Sequence, residues 1–144
     1  MTESINVVCP HCAAVNRISS QRLVDHPVCG KCKNKLFEAR PLDLDNKGFD
    51  RNLTRNDIPL VVDFWASWCG PCKVMMPAFE QAAADLEPFA RLVRLNTELE
   101  QEIAGRYAIR AIPTMILFKD GQEVQRQSGA MTAGQIVEWV RLAI

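Results

Sequence analysis

The chain has 144 residues, with 17 basic against 17 acidic side chains. That is length for one domain with at most a small appendage, and a charge balance that favours neither nucleic acid nor a membrane surface as partner. It shows no apolar run of about 18 residues to span a bilayer and no charged-then-apolar leader ending in small residues, so neither insertion nor secretion is expected. The expected location is cytoplasmic, and in that reducing compartment six cysteines argue for metal binding or catalytic redox work over structural disulfides.

Residues 1–35 lack aromatic side chains and a convincing apolar core, and carry Arg17, Arg22, Lys31, Lys33 and Lys35 against only Glu3 and Asp25. Their cysteines fall as Cys9-Pro10-His11-Cys12 and Cys29-Gly30-Lys31-Cys32, a C-x2-C-x16-C-x2-C spacing. In that pattern two tight knuckles close a tetrahedron of thiolates around one Zn²⁺. One structural zinc on Cys9, Cys12, Cys29 and Cys32 is therefore predicted, with Gly30 helping the second knuckle to turn and the metal supplying folding free energy that so short a segment lacks. Cys9 and Cys12 could instead be a second redox pair, but Ala13 to Arg17 run into Ser19-Ser20 with no amphipathic helix, so the activating dipole is missing. With four thiolates available, His11 and His26 are expected outside the ligand set. A nucleic-acid-binding ribbon would need aromatic residues for stacking, and this one has none.

From Leu36 to Leu44, Phe37, Ala39 and Leu42 predict an edge strand, where Pro41 is tolerated. Asp45 or Asn46 caps a helix carrying Phe49 and Leu53 that ends near Asn56. Leu60 to Ala66 is apolar, β-branched and aromatic, broken only by Asp63, as in a strand covered on both faces. After Trp68 the period changes: Met75, Phe79, Ala82, Ala83 and Leu86 mark an amphipathic helix to about Glu87, with a kink expected at Pro77. A strand follows over Ala90 to Asn96, then a helix near Leu99 to Tyr107 and a buried strand over Thr114 to Phe118. Asp120-Gly121 predicts a hairpin turn, Glu123 to Ser128 an antiparallel edge, and Thr132 the cap of a last helix that buries Ile136, Val137 and Val140. The whole is an α/β arrangement, a mixed central sheet with helices on both faces, divided into segments 1–35 and 36–144.

Cys69 and Cys72 lie at the first turn of the long helix, where free N–H groups and the positive end of the helix dipole favour a thiolate on Cys69. Cys69 is thus the candidate nucleophile. Gly70 permits a tight approach, Pro71 fixes the first turn, and Cys72 is placed to attack any disulfide that Cys69 forms. Lys73 adds positive charge nearby. Asp63, the one charge in the central strand, would prefer its proton when buried and could pass one to or from Cys72; the alternative is an ion pair with Arg94.

Trp68-Cys69-Gly70-Pro71-Cys72 behind Val62-Asp63-Phe64-Trp65 resembles the active site of the thioredoxin family. The resemblance continues through Ile112-Pro113-Thr114, Phe118-Lys119-Asp120-Gly121 and Gly129, about the last three quarters of the chain. With four cysteines ahead of it, the whole is similar to the long, zinc-binding form of bacterial thioredoxin. The resemblance implies a thioredoxin fold behind a small zinc ribbon, and a general protein-disulfide reductase. It also implies Asp63 as the buried proton carrier, a cis Ile112–Pro113 bond that offers the Ile112 peptide groups to an extended substrate, and a docking surface completed by Trp68, Gly70, Pro71 and Gly129. Trp65 is expected in the core. Arg94 stands where many thioredoxins have lysine and cannot give up a proton. No bound organic cofactor is expected. Electrons would come from a thioredoxin reductase using NADPH and flavin, the partners would be client proteins with disulfides, and the chain would be a monomer. A disulfide oxidase or isomerase is the nearest rival, disfavoured by Gly70-Pro71 and the absent export signal; a zinc-dependent binding module is the other, disfavoured by retention of both active cysteines. Loss of the four ribbon cysteines is expected to leave reduction intact, because the second domain has its own core.

Overall fold

In the computed structural model, residues 3–144 are described. Strands β1 (Ser4–Val8) and β2 (Val15–Ser19) form an antiparallel pair, and a 3-10 turn over Ser20–Asp25 follows. Each cysteine knuckle closes in the same way. Cys9 N–H bonds to the Ala14 carbonyl and Ala13 N–H to that of Cys9, while Cys29 and Lys33 N–H bond to the Asn34 and Cys29 carbonyls. The residue after each second cysteine, Ala13 and Lys33, takes the left-handed conformation, at φ 63° and 68°. Gly30 does not have a positive φ, so the turn it was expected to ease is made by Lys33 instead. Val7, Cys9, Leu23, Cys29 and Leu36 are buried together, giving this segment a small core around the sulfurs.

The main sheet has the order β3 (Leu42–Asp43), β5 (Arg91–Asn96), β4 (Leu60–Trp65), β6 (Thr114–Lys119), β7 (Gln122–Ser128). The first three run parallel; β6 and β7 are antiparallel, closed by the turn at Asp120-Gly121. The predicted edge strand from Leu36 shrinks to Leu42–Asp43, because Leu36 is drawn into the ribbon core and Phe37 lies under the Arg91 guanidinium, 4.7 Å from its ring centre.

Alternation along β4 sends Val62 and Phe64 to one face and Val61 and Asp63 to the other. On the first face, α1 (Asn46–Arg55) and α3 (Gln101–Arg106) contribute Phe49 and Ile103 to a core with Val62, Phe64, Val93 and Ile116. On the second, α2 (Gly70–Leu86) and α4 (Ala133–Arg141) contribute Met75, Phe79, Ile136 and Val140 to a core with Val61, Leu92 and Met115. Asp45 caps α1, accepting from Gly48 N–H at 2.7 Å, and Thr132 and Gln135 form a reciprocal capping box on α4. Helix α2 continues through Pro77. No helix among the described residues is long and apolar enough to cross a membrane.

Candidate active site and metal centre

Strand β4, paired along its length with β5 and through Phe64 with β6, delivers the chain into a tight turn in which Cys69 N–H bonds to the Ala66 carbonyl at 3.2 Å. Cys69 is then the N-cap of α2: its Sγ accepts from Cys72 N–H at 3.2 Å. The two cysteines are joined as a disulfide, with their Cα atoms 5.3 Å apart. Cys69 and Cys72 are both buried, in contact with Ala66 and packed by Trp65 and Ile112. Pro71 sits within the first turn of α2, where its missing N–H costs nothing.

The Ile112–Pro113 bond is cis, and the Ile112 carbonyl oxygen lies 3.7 Å from Cys69 Sγ. Gly129 N–H bonds to the Pro113 carbonyl at 2.9 Å. Its φ of +97° would strain any residue with a Cβ, although nothing would touch that atom. A Cβ on Gly70 would also stand in open space, and its φ is not positive, so the fold itself does not demand glycine there. Trp68, 70% exposed, projects beside the disulfide. Trp65, expected in the core, is instead half-buried and packs against Ala66, Cys69 and Cys72.

Asp63 is fully buried, and neither carboxylate oxygen has a hydrogen-bond partner. Burial pushes its pKa from 3.8 up to about 7, against a smaller downward pull from Arg94. The two residues are in register on adjacent strands. The alternative, an ion pair with Arg94, does not form: Arg94 lies 3.4 Å from Asp43 and 3.8 Å from Glu80, with its Nε and Nη1 making no hydrogen bond. Strand alternation places Asp63 on the α2 side, with Val61 and Met75.

In the ribbon, Sγ atoms of Cys9 and Cys32, and of Cys12 and Cys29, are 3.6 Å apart, and all four lie within 4.8 Å of one another. A tetrahedron with Zn–S bonds of about 2.3 Å has edges of roughly 3.8 Å, so the donor set fits zinc. N–H groups already point at the sulfurs as they would at thiolates: His11 to Cys9, Lys31 to Cys29, and the Asn16 and Asn34 side chains to Cys29 and Cys32, each at 3.4 Å. The Cys32 N–H and Asn16 bring Cys29 down to about 5, whereas burial pushes Cys9 up to about 12, a cost that a cation would offset. His11 turns away to pair with Glu38, and neither histidine joins the sulfur cluster.

Sequence reasoning missed the joint between the two cores. Arg91 is fully buried at the start of β5, 2.9 Å from Glu87, and donates to the carbonyls of Leu36 at 2.8 Å and Val8 at 3.3 Å. Glu87 also accepts from Ala39 N–H at 2.8 Å. Asn56, buried, accepts from Val8 N–H at 2.7 Å. A charge amid the apolar run Ala90-Arg91-Leu92-Val93 was the available signal.

A buried aspartate behind a helix-capping disulfide, faced by a cis-proline loop, defines a thiol–disulfide oxidoreductase. The thioredoxin family model matches residues 40–142, and a model described as "Thioredoxin 2, N-terminal", a zinc ribbon, matches residues 8–34. Thioredoxin C-3 of Corynebacterium nephridii is 35% identical over 134 residues, covering 93% of this chain and 92% of that one. Thioredoxin of Chlorobaculum thiosulfatiphilum is 41% identical over 104 residues, 72% of this chain and 92% of its own. Among solved structures, an N21Q mutant thioredoxin from Halobacterium salinarum NRC-1 superposes with a TM-score of 0.67 at 27% identity, covering 74% of this chain and 93% of that chain. The chain belongs to the thioredoxin family, in the form that carries an amino-terminal zinc ribbon.

Proposed function

We propose that the protein is a general protein-disulfide reductase of the cytoplasm, acting as a monomer. The observation that carries this is Cys69 Sγ at the head of α2, beside the Ile112 peptide and bonded to Cys72. In the reduced state, the Cys69 thiolate attacks one sulfur of a client disulfide, and the client's other sulfur leaves as a thiolate that takes up a proton. Cys72, its proton passed to Asp63, then attacks Cys69; the S–S bond to the client breaks, the client leaves with both sulfurs reduced, and Cys69 and Cys72 are oxidised to the bridge. Trp68, Gly70, Pro71, Ile112, Pro113 and Gly129 form the surface on which the extended client segment lies.

Electron transport through the bridge begins, on this reading, with a thioredoxin reductase using NADPH and FAD; the chain itself binds no organic cofactor. Cys9, Cys12, Cys29 and Cys32 would hold one zinc, whose contribution is folding free energy for residues 1–35 beside the thioredoxin domain of 36–144. Turnover of a protein disulfide in an NADPH-coupled assay tests the reading. Wild type should reduce it catalytically, and Cys69→Ser should not. A wild-type protein that oxidises client dithiols in glutathione buffer but does not reduce disulfides would favour the oxidase instead.

A further inference from the structure

The loop that aims Cys69 is held from outside by one short turn. Ser67 and Trp68 are the central residues of the Ala66–Cys69 turn, and the turn's own hydrogen bond leaves Ser67 N–H free. Glu98, in the loop after β5, takes it: Oε1 accepts from Ser67 N–H at 2.9 Å and from Ser67 Oγ at 2.7 Å. The neighbouring Thr97 donates its N–H at 2.8 Å and its hydroxyl at 3.0 Å to the Trp65 carbonyl. Asn96 stiffens the donor loop in turn, its Oδ1 accepting from Glu98 N–H at 2.9 Å and Leu99 N–H at 3.4 Å. Ser67 and Glu98 are both exposed. These bonds therefore satisfy no desolvated core group; what they restrain is the segment carrying Trp68 into Cys69.

We infer that Glu98 is a positioning residue for the active site, clamping Ser67 so that Trp68 and Cys69 enter α2 in the orientation that presents Cys69 Sγ to Cys72 N–H and to a client. The inference rests on the reductase reading for its second readout only. A released turn lets Cys69 leave the N–H that favours its thiolate, and lets Trp68 leave the client's path.

The test uses the full, zinc-loaded, reduced chain as wild type, E98Q, E98A and S67A. The pH profile of Cys69 alkylation by iodoacetamide, mapped by mass spectrometry, is read beside kcat/KM for a protein disulfide. E98Q loses the charge and keeps the acceptor, so both readouts should stay within about twofold of wild type. E98A loses the acceptor; its alkylation midpoint should lie above that of E98Q, and its kcat/KM should fall about tenfold, the scale of the bonds lost. S67A keeps the backbone bond and should fall about threefold. Wild-type behaviour of E98A, or a lower melting temperature without a change in either readout, overturns the inference. So does E98Q as impaired as E98A, which would mean that charge and not the clamp matters. If wild type fails to turn over client, the reductase reading fails, and the E98A and E98Q alkylation profiles still decide the clamp.

Discussion

Asp63→Asn should stabilise the oxidised protein above neutral pH and slow it as an enzyme. The carboxyl is fully buried, both oxygens lack partners, and burial takes its pKa from 3.8 to about 7. Between those values the folded state holds a proton that the unfolded state has released, so stability falls as pH rises through the window and is lowest above it. The whole shift, at 1.36 kcal/mol per unit, corresponds to roughly 4 kcal/mol. Asparagine is as poorly partnered as protonated aspartic acid but never ionises, so it escapes that cost. At pH 8 the variant should gain about 2–4 kcal/mol, or roughly 5–15 °C in melting temperature for a chain of this size, and the gain should shrink toward zero near pH 4. Thermal unfolding of the oxidised forms across this range gives the answer. A variant no more stable at pH 8, or one whose gain does not depend on pH, would refute an ionised, unpartnered Asp63. In the reduced protein the same change should slow client release from the mixed disulfide without slowing Cys69 attack, as single-turnover kinetics would show.

Cys72→Ser should accumulate client proteins as mixed disulfides on Cys69, visible as adducts on non-reducing gels, because no second thiol remains to displace them. Metal analysis should find one zinc per chain, and a strong chelator should remove it with a lower melting temperature; Cys9→Ser should do the same, whereas His11→Ala should retain the metal. Arg91→Ala should destabilise by about 3–5 kcal/mol, the usual cost of orphaning a buried charge, and the paired Arg91→Met, Glu87→Gln protein should recover part of it in denaturant titrations.

The sheet and its helices were legible because their patterns are local. The apolar run at Leu60 to Ala66, the three-to-four spacing of Met75, Phe79 and Leu86, and the Asp120-Gly121 turn each carry their own geometry, and Asp63 stood out as a charge where none belongs. The cysteine knuckles were legible from spacing alone. What was hidden depends on contacts between distant segments. Leu36 and Phe37 look like strand residues, yet they serve the ribbon core and Arg91. Arg94 and Asp63 are in register, which suggests a pair, but only the packed structure shows the guanidinium turned toward Asp43 and Glu80. Glu98 carried no motif, since its partner Ser67 lies 31 residues away.

The same long-range contacts bear on whether the ribbon is a detachable addition. The second domain does have its own two-faced core, from which independence of the ribbon cysteines was expected. Yet Arg91 and Glu87 have side-chain exposures of 1% and 3%, and their remaining partners belong to the amino-terminal side: Val8, one residue before Cys9 of the sulfur cluster, and Leu36 and Ala39 just beyond the second knuckle. Unfolding the ribbon withdraws those partners and admits water to a charge pair on the strand beside β4. Loss of the proposed zinc would therefore act on the catalytic sheet through the first residue of β5, and metal removal should lower reductase activity by a smaller factor in Arg91→Ala, where that route is already cut, than in a chain with the joint intact.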